Sequence, residues 1–248
     1  MNRTFNLDAA HPSWHPCIQQ GLQQMDPAYL DALQKNTTWL PGPQHIFSAF
    51  SLPVHQTHFI LMGESPYPRA HSANGYAFWD AAVSSLWCDT GLDKTVNRAT
   101  SLRNFVKMLL VAEGLLPADH LTQGDIARLD KTRLIQTSSA LFKNLLQNGF
   151  LLLNATLVLR PGRVREDAKA WLPFIQTVLN FLAEQSSKPQ LILFGKVAAL
   201  LEPVNPGLPV FTAEHPYNLS FISNPAVQDF FRPLSLLRPT PATIKVSC

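Results

Sequence analysis

The sequence predicts an α/β fold, a three-layer α/β/α arrangement around a central four-stranded parallel sheet. Three observations predict it. Four apolar runs, at 57–62, 150–159, 190–194 and 208–213, have the length and composition of buried strands. Segments with apolar residues at helical spacing lie between them, and this alternation argues for a parallel sheet with helices on both faces. Three of the runs end in polar motifs, GESPYP, GK and EHPYNLS. In a parallel sheet the carboxyl ends share one edge, which is where open α/β sheets bind ligands.

The chain of 248 residues is 46% hydrophobic and 15% charged, enough for one substantial core and read here as a single domain over 1–248. Residues 1–16 are expected to form a loosely held arm and 238–248 a Pro-rich tail. A net charge of +3 tolerates a polyanionic partner without demanding one. Cys17, Cys88 and Cys248 lie far apart with no CxxC pair, which excludes a cysteine zinc site or a disulfide framework and fits a reducing compartment. The N-terminus lacks the apolar segment of a signal peptide, and no run of 18 apolar residues occurs, so the protein is expected to be soluble and intracellular.

Taken in order, 17–33 has imperfect helical spacing with a break at Asp26-Pro27. A Pro-Gly turn follows, then a short helix with Ile46, Phe47 and Phe50 inward. The first strand stops at Gly63, and Pro66 and Pro68 forbid strand or helix from continuing. The result is a rigid polar loop carrying Glu64, Ser65, Tyr67, Arg69 and His71. A short helix is expected at 77–86 and a polar connector at 88–99. Ser101 reads as the N-cap of a helix over 102–113 that Gly114 ends. Residues 116–148 read as mostly helical, interrupted near 122–124.

The second strand holds Asn154, an amide inside a run apolar enough to be buried on both faces. Residues 160–169 read as a charged, solvated loop, and Pro173 places the start of the next helix near Ala170. The third strand ends at Gly195-Lys196 and runs into a short helix, and the fourth ends at Glu214-His215-Pro216. A final helix is expected over 226–237. Ser65, Tyr67, Asn154, Lys196 and His215 should therefore converge on one cleft. Singly, each has a plainer reading: a strand asparagine satisfying a loop, a loop histidine, core aromatics, a serine capping a turn.

The combination resembles a known family. GESPYPRAHSANGYAF is similar to the Gly-Gln-Asp-Pro-Tyr-His loop of family 1 uracil-DNA glycosylases, with Phe78 at the offset of the stacking phenylalanine. FLLLNATLVL resembles that family's Leu-Leu-Leu-Asn-Ala strand, and HPYNLS its His-Pro-Ser-Pro-Leu-Ser loop. WLPGPQHIFSAF, ATSLRNFVKML and LILFGK look related too, so the resemblance runs in family order from about residue 14 to 237.

The resemblance implies a uracil-DNA glycosylase-like fold and a repair enzyme that flips uracil, or a related damaged base, out of DNA and hydrolyses its N-glycosidic bond. Phe78 would stack on the base and Asn154 would read its edge with a donor and an acceptor. Tyr67 would exclude a C5 methyl, and Gly63 would belong to the same pocket. His215 would hydrogen-bond O2 of the departing base. Leu219 would enter the duplex, while Ser101, Ser220, Lys196 and Pro216 would contact the DNA backbone. The resemblance implies no cofactor and no metal, and DNA as partner; a monomer is the plainest expectation, with a cytoplasmic location, or a nuclear one in a eukaryote.

The departures are as informative. The family's loop aspartate is Ser65, its glutamine Glu64 and its loop histidine Pro68; Tyr217 and Asn218 replace a serine and a proline, and Lys196 a serine. A serine hydroxyl holds a water but offers no charge, and loss of a positioned acid–base group costs ~10²–10⁴-fold in rate. Glu64 is the adjacent carboxylate, with Asp80 and Glu214 as further candidates. Ser65 also motivates an alternative, a catalytically deficient module that binds uracil-containing or damaged DNA or a protein partner; a hydrolase of free nucleosides or modified bases is a third reading.

Overall fold

The computed structural model describes residues 5–201, 204 and 207–239. Along the chain lie α1 (His15–Gln23), α2 (Pro27–Lys35), β1 (Phe59–Gly63), β2 (Trp87–Cys88), β3 (Gly91–Leu92), α3 (Lys94–Arg98), α4 (Thr100–Ala112), α5 (Gln123–Arg128) and α6 (Ser138–Gln147). They are followed by β4 (Phe150–Asn154), α7 (Val164–Ala183), β5 (Gln190–Phe194), α8 (Val197–Leu200), β6 (Val210–Ala213), α9 (Ser220–Ser223) and α10 (Pro225–Phe231). Contacts group these into two compact units, 1–82 with 149–215, and 83–148 with 216–248.

The first unit contains the expected four-stranded parallel sheet, in the order β4-β1-β5-β6. The chain passes from β1 outward to β4 on one side, then returns across β1 to β5 on the other. That reversal opens a crevice at the carboxyl ends of the strands. Side chains alternate across the sheet: Ile60, Met62, Leu151, Leu153, Leu191 and Leu193 share a core with Trp171, Phe174 and Val178 of α7 and Ile18 of α1. Leu61, Leu152 and Ile192 on the other face are equally buried. This double burial explains why the inner strands read as unbroken apolar runs. β4 and β6 are the two edges of the sheet; β4 is buried, whereas Val210 of β6 is exposed.

Several elements depart from the sequence expectation. The second strand stops at Asn154 rather than 159, although Leu159 still bridges Leu40. α7 starts at Val164 rather than near Ala170, and Pro173 sits inside it. The cause is Asp167, fully buried on the inner stripe of the helix. Its carboxylate accepts from Arg160 Nε at 2.7 Å, Arg160 N at 2.8 Å and Tyr29 OH at 2.8 Å, and Trp171 Nε1 donates to Tyr29 OH. A buried carboxylate with that many partners fixes the first two turns, so the segment expected as a solvated loop is instead anchored by Arg160. Residues 5–16 are no loose arm either: Trp14 is fully buried and donates from Nε1 to Leu52 O at 2.7 Å.

The stretch 77–86, which runs from the first unit into the second, forms turns rather than a helix, and in the second unit the 88–99 connector contains most of the β2–β3 hairpin and α3. The helical content of 116–148 is limited to α5 and α6. The supposed interruption at 122–124 is a capping box, in which Thr122 and Asp125 satisfy each other's backbone N–H. α4 begins one residue before Ser101, with Ala99 at the N-cap, so Ser101 lies in the first turn and caps nothing. The final helix ends at Phe231 and passes into a 3₁₀ turn, Arg232–Leu234. The end of the unit is tied down where Asn144 Nδ2 donates to Leu236 O and Arg238 O. The Pro-rich tail from 240 onward lies outside the described residues.

Candidate active site

β1 ends at Gly63, which is paired in register with Asn154 at the end of β4. Oδ1 of Asn154 occupies the space in which any Cβ on Gly63 would stand, and Ala77 Cβ lies 2.9 Å from the same point. Glycine is required here for room, not for a special φ. Asn154 is 3% exposed, yet among the described residues no side-chain hydrogen bond engages its carboxamide. Buried amides are normally satisfied. One without such a bond at the carboxyl edge of a sheet has a donor and an acceptor to offer a ligand.

The loop after Gly63 is pinned throughout its length. Ala155 N donates to Gly63 O and Thr156 N to Glu64 O, which extends the β1–β4 pairing past the strands. Ala77 N returns to Leu152 O. The Arg69 guanidinium pairs with the buried Asp80 at 3.1 Å, and Asp80 also accepts from Ala82 N, so this carboxylate is committed to the loop's own structure. The result is the rigid loop expected from Pro66 and Pro68, with Pro66 buried.

Inside this loop Tyr67 OH donates to Phe78 O at 3.2 Å. Burial, reinforced by the Asp80 charge and opposed by Arg69, pushes the phenol up to about 12, so it remains a neutral donor at physiological pH. Phe78 has φ +62, a left-handed conformation that an aromatic residue adopts only when its surroundings impose it. Its ring stacks with His215 at a centroid distance of 6.0 Å and meets Phe194, the last residue of β5, edge-on at 6.2 Å. A flat aromatic face is thereby fixed beside an imidazole.

His215 follows β6 and is half-buried. Burial lowers its pKa below the ordinary value, against an opposing pull from the Glu64 carboxylate. The lowered value makes the ring neutral at pH 7, with one N–H to donate. Gly195 backs it at φ +63, where a Cβ would stand 2.8 Å from His215 Cβ. The GK motif was informative for its glycine more than for Lys196, which is exposed at the start of α8. The first unit thus brings together Gly63, Glu64, Tyr67, Phe78, Asn154 and His215. Ser65 is half-buried between Glu64 and Pro66.

The second unit carries the remaining candidates. Pro216 is buried, while Tyr217 and Leu219 are 66% and 71% exposed. Ser220 is exposed at the first turn of α9, and Ser101 is half-buried in the first turn of α4. Asn104, which sequence reasoning did not single out, is fully buried in α4 and donates from Nδ2 to Pro216 O. The only sequence signal for it is a polar residue on the apolar stripe of a helix. Among the described residues no group of three or more histidine, cysteine or acidic side chains is placed to hold a metal ion.

No protein-family model matches the chain. The wild-type UNG crystal structure from Nitratifractor salsuginis superposes with a TM-score of 0.91 at 36% identity, covering 97% of this chain and 100% of that one. The crystal structure of mimivirus uracil-DNA glycosylase, at 16% identity and a TM-score of 0.57, shares the fold over 85% of this chain and 71% of that one. By sequence, the uracil-DNA glycosylase of Amoebophilus asiaticus is 28% identical over 195 residues, 75% of this chain and 74% of its own length. That of a Nocardioides species is 26% identical over 230 residues, 90% of this chain and 85% of its own. With a relative above one-third identity spanning nearly its whole length, the chain belongs to the uracil-DNA glycosylase family.

Proposed function

We propose that this protein is a DNA repair glycosylase that removes uracil by hydrolysing the bond between the base and deoxyribose C1′. The observation that carries the reading is Asn154, a buried strand residue whose carboxamide makes no side-chain hydrogen bond among the described residues, beside an aromatic face that the backbone holds in a strained conformation. Uracil presents a carbonyl and an N–H side by side on its pairing edge, and an amide matches both at once. Phe78 is assigned the stacking surface, and Tyr67, held by its bond to Phe78 O, the exclusion of a C5 methyl.

In the reaction the C1′–N1 bond breaks, the electron pair leaves with the base, and water adds to C1′ to give free uracil and an abasic site. The neutral His215 ring donates to O2 as negative charge grows there. The base has to leave the duplex to reach such a pocket, and the exposed Leu219 is the side chain suited to fill the gap. Ser101, Ser220, Lys196 and the Pro216 turn are assigned to the phosphate backbone. No organic cofactor or metal is needed for this chemistry, and a monomer suffices. No helix among the described residues is long and apolar enough to cross a membrane, and a cytoplasmic or nuclear repair enzyme is the corresponding reading.

Incubation with an oligonucleotide carrying one deoxyuridine, followed by alkaline cleavage at abasic sites, tests the activity. Strand cleavage dependent on the deoxyuridine is expected. Salt-sensitive binding without base release would instead favour a catalytically deficient DNA-binding module, for which Ser65 in the aspartate's place is the motivating observation. Gly63→Ala is expected to lower excision about 100-fold by displacing the Asn154 carboxamide. Its overpacking should cost about 1–3 kcal/mol of stability, measured by urea unfolding. Full activity in this variant would remove Asn154 from the pocket.

A further inference from the structure

Asn104 has no part in the pocket chemistry, yet it is completely buried and its carboxamide is fully used. Oδ1 accepts from Arg103 Nε at 3.1 Å, and Arg103 is itself tied to Asn97 O. That bond turns Nδ2 toward the segment after His215. There it donates to Pro216 O at 2.8 Å, Tyr217 O at 3.2 Å and Asn218 O at 3.4 Å. Three successive carbonyls aimed at one nitrogen describe a tight turn closed around a single side chain. An amide has two hydrogens, so the bonds are shared, and no residue without a donor can replace it.

The turn leads directly into α9. Phe221 N donates to Asn218 O, and Ile222 N to Leu219 O. α9 is in turn packed on α4, where the rings of Phe105 and Phe221 lie 6.5 Å apart. Adjacent residues of α4 therefore hold both ends of the segment, Phe105 the helix and Asn104 the turn. Between them stand Tyr217 and Leu219, the two most exposed large apolar side chains among the described residues.

We propose that Asn104 is the positioning residue of the DNA-inserting turn: by gathering the carbonyls of 216–218 it fixes the direction in which Leu219 projects. The inference rests on the function proposed above, in which Leu219 enters the duplex. A side chain that fills a vacated base position has to arrive already aligned, because a misplacement of about 1 Å in a positioning element can cost ~10²-fold. Single-stranded DNA has no stack to penetrate and makes no such demand.

The test compares uracil excision from duplex and single-stranded oligonucleotides by wild type, Asn104→Ala, Asn104→Ser, Leu219→Ala and the Asn104→Ala/Leu219→Ala double variant. Serine keeps one donor and serves if alanine fails to fold. Asn104→Ala should lose about 10–100-fold in kcat/KM on duplex, a much smaller factor on single strands, and Asn104→Ser should lie between it and wild type. In the Leu219→Ala background the added loss should largely vanish, the coupling expected of residues acting through one another. Equal losses on both substrates, or an undiminished loss without Leu219, would mean that Asn104 only stabilises the fold and would overturn the inference. Uracil release by wild type that is insensitive to Leu219→Ala would overturn it too. A wild type that releases no uracil from either substrate would overturn the proposed function itself, a result distinct from the other two.

Discussion

Replacing Asn154 with alanine is expected to lower uracil excision by ~10²–10³-fold, since two hydrogen bonds to the base edge and the cost of leaving that edge unpaired total about 3–4 kcal/mol. The fold should tolerate the change. The carboxamide has no protein side-chain partner among the described residues, so its removal strands no donor or acceptor, and the stability change should stay near 1 kcal/mol. This separation of effects is the diagnostic. An asparagine kept to satisfy a neighbouring loop would do the reverse, costing stability and sparing activity. Single-turnover excision and urea unfolding of the same variant measure both. A variant that unfolds easily yet retains wild-type rates would discard Asn154 as the base reader.

Asn154 was legible in the sequence because a lone amide in a run of leucines contradicts its surroundings, and such contradictions gather at functional sites. The loop after Gly63 was legible for a related reason, since two prolines leave a chain little freedom to be anything else. Gly63 itself reads as a strand stop. Its actual role, making room for Asn154 Oδ1, depends on a register between strands separated by more than eighty residues. The start of α7 is not legible locally, because local rules weigh Pro173 heavily, whereas the buried Asp167 draws partners from α2 and from Arg160. The β2–β3 hairpin escaped because two-residue strands have no periodicity to detect. The Thr122–Asp125 capping box is present as a sequence signal, but its Thr, Gln and Gly also have the composition of a break. Asn104 was hidden by its helix, where an apolar stripe dominates the pattern and the carbonyls it serves lie more than a hundred residues away.

Removing the Glu64 carboxylate should have the other large effect, and it addresses the main departure of this chain from its family. Water addition at C1′ sheds a proton, and the sugar gains positive charge as the base departs. Both call for a nearby carboxylate, which Ser65 does not supply. Asp80 is spent on Arg69 and the Ala82 amide. The charge of Glu64 is felt at His215, and its backbone is fixed by the bond from Thr156 N to its carbonyl. If Glu64 performs this role, Glu64→Gln should lower kcat by ~10²–10⁴-fold with little change in KM. The same variant has a spectroscopic signature independent of activity. Burial lowers the His215 pKa and Glu64 raises it, so the imidazole should titrate below its ordinary value in wild type and lower still in Glu64→Gln, as read by NMR. Ser65→Asp places a carboxylate at the family's own position and should raise excision by about tenfold or more. The decisive comparison is Glu64→Gln combined with Ser65→Asp. Recovery toward wild-type rates would mean that one carboxylate substitutes for the other across adjacent positions of a rigid loop. A Glu64→Gln variant with undiminished kcat would leave the water to be oriented by Ser65 and the backbone, and would make electrostatic stabilisation of the departing uracil the main source of the rate.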